Sequence, residues 1–252
     1  MPQKPAATMA DAIAAYHSYV SGQLDELRNH LGTLRAAVAN ADTPGAQGAW
    51  LQAQQCWQRV GAAYGSFGEL GDAIAPGSRG LQGGSADPEF KGLRRIEYGL
   101  WHGQGAPQLL PAIDQLAKDL QALAAKLPGL STDPADMPLR LHEILEDSQR
   151  DHLSGNGDQG SGMAIALTRA DVEATQEVLD LLRTLLQGLK AGFPALLDQQ
   201  LAALLKVIDQ TRTGGTWTPY RSLSLLQRQR INGALGRVLE SLALVPALFS
   251  TD

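Results

Sequence analysis

One seam limits what this chain can become more than any other feature. Met9, Ile13, Tyr16, Val20, Leu24, Leu27, Leu31, Leu34 and Val38 step by fours and threes. A helix of about eight turns puts all nine on one stripe, and such a stripe must be buried against other helices. Thr8 stands at the N-cap position, with Asp11 three residues on, the spacing of a capping box.

The same period continues along the chain. Trp50, Trp57, Val60, Tyr64, Phe67 and Leu70 mark a second helix, which "APGSRGLQGGSADP" interrupts. The next helix is expected to open at Asp87 as cap and Pro88 in the first turn, and another at Pro107. "LPGLSTDPADMP" reads as a boundary. After it comes the helix "LRLHEILEDSQRDHL", then the glycine-rich loop "SGNGDQGSG", then three helices starting near Thr168, at Pro194 and near Thr218. No segment alternates with the period of a strand. The expectation is an all-α fold of about eight helices in two abutting antiparallel four-helix bundles, since amphipathic helices joined by short turns pack as antiparallel neighbours. The expected division is an N-terminal bundle over 1–127, a linker over 128–138 and a C-terminal bundle over 139–252.

Composition agrees and narrows the function. Leu and Ala are abundant and aromatics are scarce, which suits helices. The net charge of −5 gives no reason to expect nucleic acid as a partner. Cys56 is the single cysteine, so a disulfide within the chain or a cysteine-based zinc site is excluded. No continuous run of about 18 apolar residues is present, so no transmembrane segment is expected. The start, "MPQKPAATMADAI", lacks the apolar core of a signal peptide, which fits either a cytoplasmic chain or the mature form of an exported one.

Chemistry concentrates in "GLRRIEYGLWHG", residues 92–103. Arg94 and Glu97 are three apart and share a helix face. They can form a salt bridge, present a guanidinium fork to an anion, or leave Glu97 to bind a metal directly. His102 sits where a helix C-terminus favours imidazolium, and Tyr98, Trp101, Trp57 and Tyr64 read as core. His142 and Glu146 are four apart, but "HEILED" lacks the second histidine of a zinc-protease helix. "SGNGDQGSG" follows a helix and lacks a Gly-Lys-Ser/Thr ending, so it reads as a helix connection.

The segment "DPEFKGLRRIEYGLWHG" resembles the signature helix of the imelysin-like proteins, which include EfeO-type components of bacterial iron uptake. Gly92, Glu97, Leu100 and Trp101 match the hallmark G-x-H-x-x-E and the Leu-Trp after it. The blocks at 57–74, 139–162 and 216–246 resemble the family in the same order. The resemblance implies two four-helix bundles, an exported protein of the periplasm or cell surface, and iron-uptake permease or peroxidase-like components as partners. It also implies a site between the bundles for iron, copper or zinc. Glu97, Glu69, His142 and Glu146 would be its metal ligands, and Arg94, Arg95, Tyr98 and His102 would serve an anionic ligand.

Two departures weaken the metal reading. The hallmark histidine is Arg94, and a guanidinium cannot coordinate a metal. Gly61 and Gly65 occupy turns where metal-binding relatives place carboxylates. Two alternatives therefore stand beside an iron-uptake binding protein. One is a metal-free scaffold or binder of a small anionic ligand with a degenerate site. The other is a metallopeptidase of the imelysin type, for which no constellation supplies three convincing ligands.

Overall fold

The computed structural model describes residues 7–250. In chain order the helices are α1 (Met9–Ala39), α2 (Thr43–Arg59), α3 (Tyr64–Phe67), α4 (Glu69–Ile74), α5 (Gly92–Trp101), α6 (Ala106–Lys126), α7 (Asp136–Asp147), α8 (Ala164–Leu189), α9 (Phe193–Asp209), α10 (Leu225–Leu242) and α11 (Val245–Phe249). Among the described residues the one strand pairing is a hairpin, β1 (Arg212–Thr213) with β2 (Thr216–Trp217), that joins α9 to α10. The fold is all-α, and eight of the described helices are ten residues or longer.

Several helix ends differ from the spacing-based expectation, each for a local reason. The second helix ends at Arg59, and the carbonyl of Trp57 accepts the amide of Val60 at 3.2 Å and Tyr64 Oη at 2.6 Å. A continuing helix would have given that carbonyl to the amide of Gly61. Asp87 does not cap α5; it accepts the amides of Gly83 and Glu89 and closes a turn, so the helix starts at Gly92. Helix α8 starts at Ala164, ahead of Thr168. Helix α10 starts at Leu225, where Ser224 and Gln227 form a capping box, while Thr218 precedes a 3-10 turn at Tyr220–Ser222. At the start of α1, Thr8 and Asp11 do cap each other as the spacing implies.

Contacts sort the chain into two compact units, each assembled from separate stretches of sequence. The first unit holds residues 20–130 and 157–162. Within it α2 packs on α5, α5 on α6, and α4 on α6. Helix α1 is tied to α6 by Arg35 and Asp114 at 2.7 Å. Its core includes Leu24, Leu27, Leu31, Trp50, Ile96, Leu116 and Leu120, all buried. Each such side chain contributes about 1.5–3 kcal/mol by leaving water.

The second unit holds the described residues through Tyr19, then 131–156, then those from Met163 on. Here α7 packs on α8, α8 on α9, α9 on α10 and α10 on α7, closing a four-helix ring. Leu141, Leu145, Val178, Leu182, Leu201, Leu204, Leu235 and Val238 fill it. A π-turn over Ser148–His152 ends α7 and buries His152 against Asp171 at 3.3 Å.

Candidate functional site

The motif helix α5 is fixed in the first unit before any side chain of the site is considered. Gly92 opens it with φ +70°, and a Cβ there would lie 2.2 Å from the carbonyl oxygen of Ile74. Only glycine allows both that backbone conformation and that approach. Trp50 Nε1 donates to the carbonyl of Leu93 at 2.9 Å, and the Trp50 ring meets Trp101 edge-on at 5.1 Å. One α2 side chain thus holds both ends of α5.

On this framework Glu97 is 0% exposed and Arg94 is 7% exposed. Arg94 Nη1 donates to Glu97 Oε2 at 3.3 Å. The other oxygen faces the loop that follows the π-turn. Glu97 Oε1 accepts from Ser161 Oγ at 2.6 Å, from the amide of Gln159 at 3.0 Å and from the amide of Ser161 at 3.4 Å. Protein donors therefore reach both carboxylate oxygens.

The loop is shaped to deliver those donors. Asp158 Oδ1 accepts the amides of Gly160 and Gly162 at 2.9 and 3.1 Å. Gly160 and Gly162 have φ values of +124° and +69°, which turn both amides back toward Asp158. A Cβ on Gly160 would stand 3.0 Å from Trp101 Cβ and 3.2 Å from His102 Cε1, so the loop lies directly on the end of α5. Ser161 Oγ is also 3.4 Å from Asp158 Oδ1, which brings the hydroxyl within reach of two carboxyls.

Those carboxyls are driven in opposite directions. Burial pushes the Glu97 carboxyl above its ordinary 4.5, against the pull of Arg94, Ser161 and the Gln159 amide, and neighbouring Asp158 adds to the rise. Burial also acts upward on Asp158, but the Gly160 and Gly162 amides, with Glu97 and Ser161, outweigh it and hold that carboxyl below 3.8. The extra proton affinity of the cluster therefore sits on Glu97.

The other sequence-derived candidates make no hydrogen bond to this carboxylate among the described residues. Glu69 is exposed in the first turn of α4 and makes no hydrogen bond or ion pair among the described residues. His142 and Glu146, in the second unit, pair with each other at 3.3 Å. Arg95 Nη1 lies beside Gly99, 3.0 Å from where a Cβ on that glycine would stand. Tyr98 stacks on His102 with ring centroids 4.0 Å apart, and His102 Nδ1 lies 2.7 Å from the carbonyl of Tyr98. His102 is the C-cap residue of α5, as its position in the sequence suggests. Among the described residues no group of three or more His, Cys, Asp or Glu side chains is placed to hold a metal.

Sequence reasoning missed Asp158, Gln159 and Ser161, having read their loop as a connection. The available signal was local: an aspartate followed by glycines two and four residues on, a pattern in which the side chain collects backbone amides.

A family model described as Imelysin matches residues 12–243. The chain belongs to the imelysin family. Among its relatives are the proteins named iron uptake system component EfeO from Escherichia coli O157:H7, Escherichia coli K12 and Shigella flexneri. Each is 23% identical over 245 residues, covering 97% of this chain and 65% of the relative. The chain thus spans slightly less than two thirds of the length of these relatives. Within the imelysin hallmark it keeps Gly92 and Glu97 and carries Arg94 at the histidine position. The donor set does not fit a transition-metal centre of the hallmark type: the imidazole is replaced by a permanent cation, and the carboxylate already accepts from four protein donors.

Proposed function

We propose that this imelysin-family chain is an exported, non-enzymatic component of a bacterial iron-uptake system, acting as a helical scaffold rather than as a metal centre at its motif. The single observation that carries the scaffold reading is the engagement of both Glu97 oxygens by Arg94, the Ser161 hydroxyl and two backbone amides. In this reading the Arg94 guanidinium supplies, as a fixed charge, what a bound cation would supply elsewhere. Glu97 then latches loop 157–162 onto α5. The association with iron uptake and the periplasmic or cell-surface location are carried over from the EfeO relatives. Permease or peroxidase-like components of such a system are the partners the same relationship suggests.

One observation favours a second reading. Ser161 Oγ lies near both Glu97 and Asp158. With the loop in place and the Ser161 hydroxyl turned aside, Glu97 and Asp158 would both offer oxygen donors to a hard cation.

Deleting the gene in its host and following radiolabelled iron tests the uptake assignment. Iron accumulation under limitation should fall and return on re-expression; accumulation unchanged by the deletion would refute it. Peptide cleavage that depends on an added divalent metal and stops with chelator would refute the non-enzymatic part.

A further inference from the structure

The second unit carries an unfilled trough between α9 and α10, well removed in sequence from the motif. Its volume is about 550 Å³, with Leu196, Ala203 and Val207 on one wall and Arg230, Gly233 and Arg237 on the other. The α9 residues run from 196 to 207, so the trough is about 16 Å long, some three helical turns. That shape suits the seam of a helix laid along it, read out at successive turns.

Charge identifies what kind of helix. In the same unit Arg140, Arg150, Arg169 and Arg183 are each paired with carboxylates. Arg230 and Arg237, at the edge of the trough, make no ion pair or hydrogen bond among the described residues. Gln200, also in the lining, has its side-chain oxygen buried without a protein donor. Leu196 is 43% exposed although it lies at the apolar wall. An apolar floor with unpaired guanidinium groups at the rim calls for leucine-type anchors flanked by carboxylates. A second copy of this chain is a poor occupant, because a two-fold contact through this face would set arginines against arginines.

We infer that the α9/α10 trough docks an acidic amphipathic helix of a partner protein. The assignment is independent of the motif site and holds whichever reading of Glu97 stands.

The test uses the full chain and a labelled synthetic helix of about 18 residues with a leucine stripe flanked by glutamates. A control peptide carries lysines in their place. Fluorescence anisotropy should give saturable one-to-one binding of the acidic peptide, at least about tenfold tighter than the lysine peptide and weakened by salt. Gly233→Leu should abolish it by filling the trough, since a Cβ there meets nothing within 4 Å and the helix tolerates it. Ala203→Leu, from the opposite wall, should do the same. Arg230→Glu combined with Arg237→Glu should weaken binding at least about tenfold. Circular dichroism and thermal melting would confirm that each variant is folded. Equal affinity for both peptides, or binding indifferent to Gly233→Leu and Ala203→Leu, would overturn the inference. So would a concentration-dependent dimer that Gly233→Leu disrupts, or capture by anionic phospholipid vesicles without peptide binding.

Discussion

Arg94, at the histidine position of the family hallmark, sets the surroundings of a single neighbouring carboxylate. Glu97 is buried and its charge is compensated from both sides, by Arg94 and by loop 157–162. Truncating it strands a buried guanidinium and the hydroxyl and amides that faced it. Glu97→Ala should therefore lower unfolding stability by about 3–5 kcal/mol, measured by urea denaturation; a loss below about 1 kcal/mol would mean that the latch is not made in solution. Titration gives a second check. Because the folded chain binds the Glu97 proton more tightly than the unfolded chain, this group favours folding at low pH, and that advantage is lost as pH rises from 4.5 through the raised value. Asp158, held low, acts in the other direction and in a different window, losing its contribution only as pH falls below 3.8. Glu97→Gln keeps an acceptor for Ser161 but cannot titrate, so the downward slope of stability above pH 4.5 should flatten in that variant. An unchanged slope would place the raised proton affinity elsewhere.

At the scale of elements, the helix termini decide how the site is presented. Gly92→Ala places a methyl against the Ile74 carbonyl in a left-handed backbone position. It should cost at least about 2 kcal/mol in a thermal or urea melt; a neutral result would show that α5 can start differently. Ser224→Ala removes one half of the α10 capping box and should cost about 1 kcal/mol in the same assay. Asp158→Ala releases the amides of Gly160 and Gly162, so their hydrogen exchange should accelerate while α5 core amides stay protected. What was legible in the sequence follows from the reach of each signal. Seams such as Leu24–Leu27–Leu31 report burial directly, so the all-α class and most helices could be read. Helix ends were less legible, because the partners of a terminal carbonyl, as Tyr64 at Trp57, depend on where the chain returns in space. The Arg94–Glu97 pair was legible from its spacing, but the loop donors were not, since Gln159 and Ser161 lie more than 60 residues away and meet Glu97 only through the fold.

For the whole molecule, membership of the imelysin family and 23% identity to EfeO proteins coexist with a rebuilt motif. In the proposed reading the scaffold stands on Gly92, Trp101 and the helix seams, while Arg94 takes the place of a coordinating group with a cation that needs no metal. That separation of fold from site is the central claim, and metal content tests it most directly. The purified protein, free of any metal-binding tag, would be dialysed in turn against ferrous iron, copper and zinc and then subjected to elemental analysis, with Glu97→Ala in parallel. The account predicts no stoichiometric metal in either protein. About one metal per chain in the natural sequence, lost in Glu97→Ala, would contradict it and establish that the loop opens to free Glu97 as a ligand.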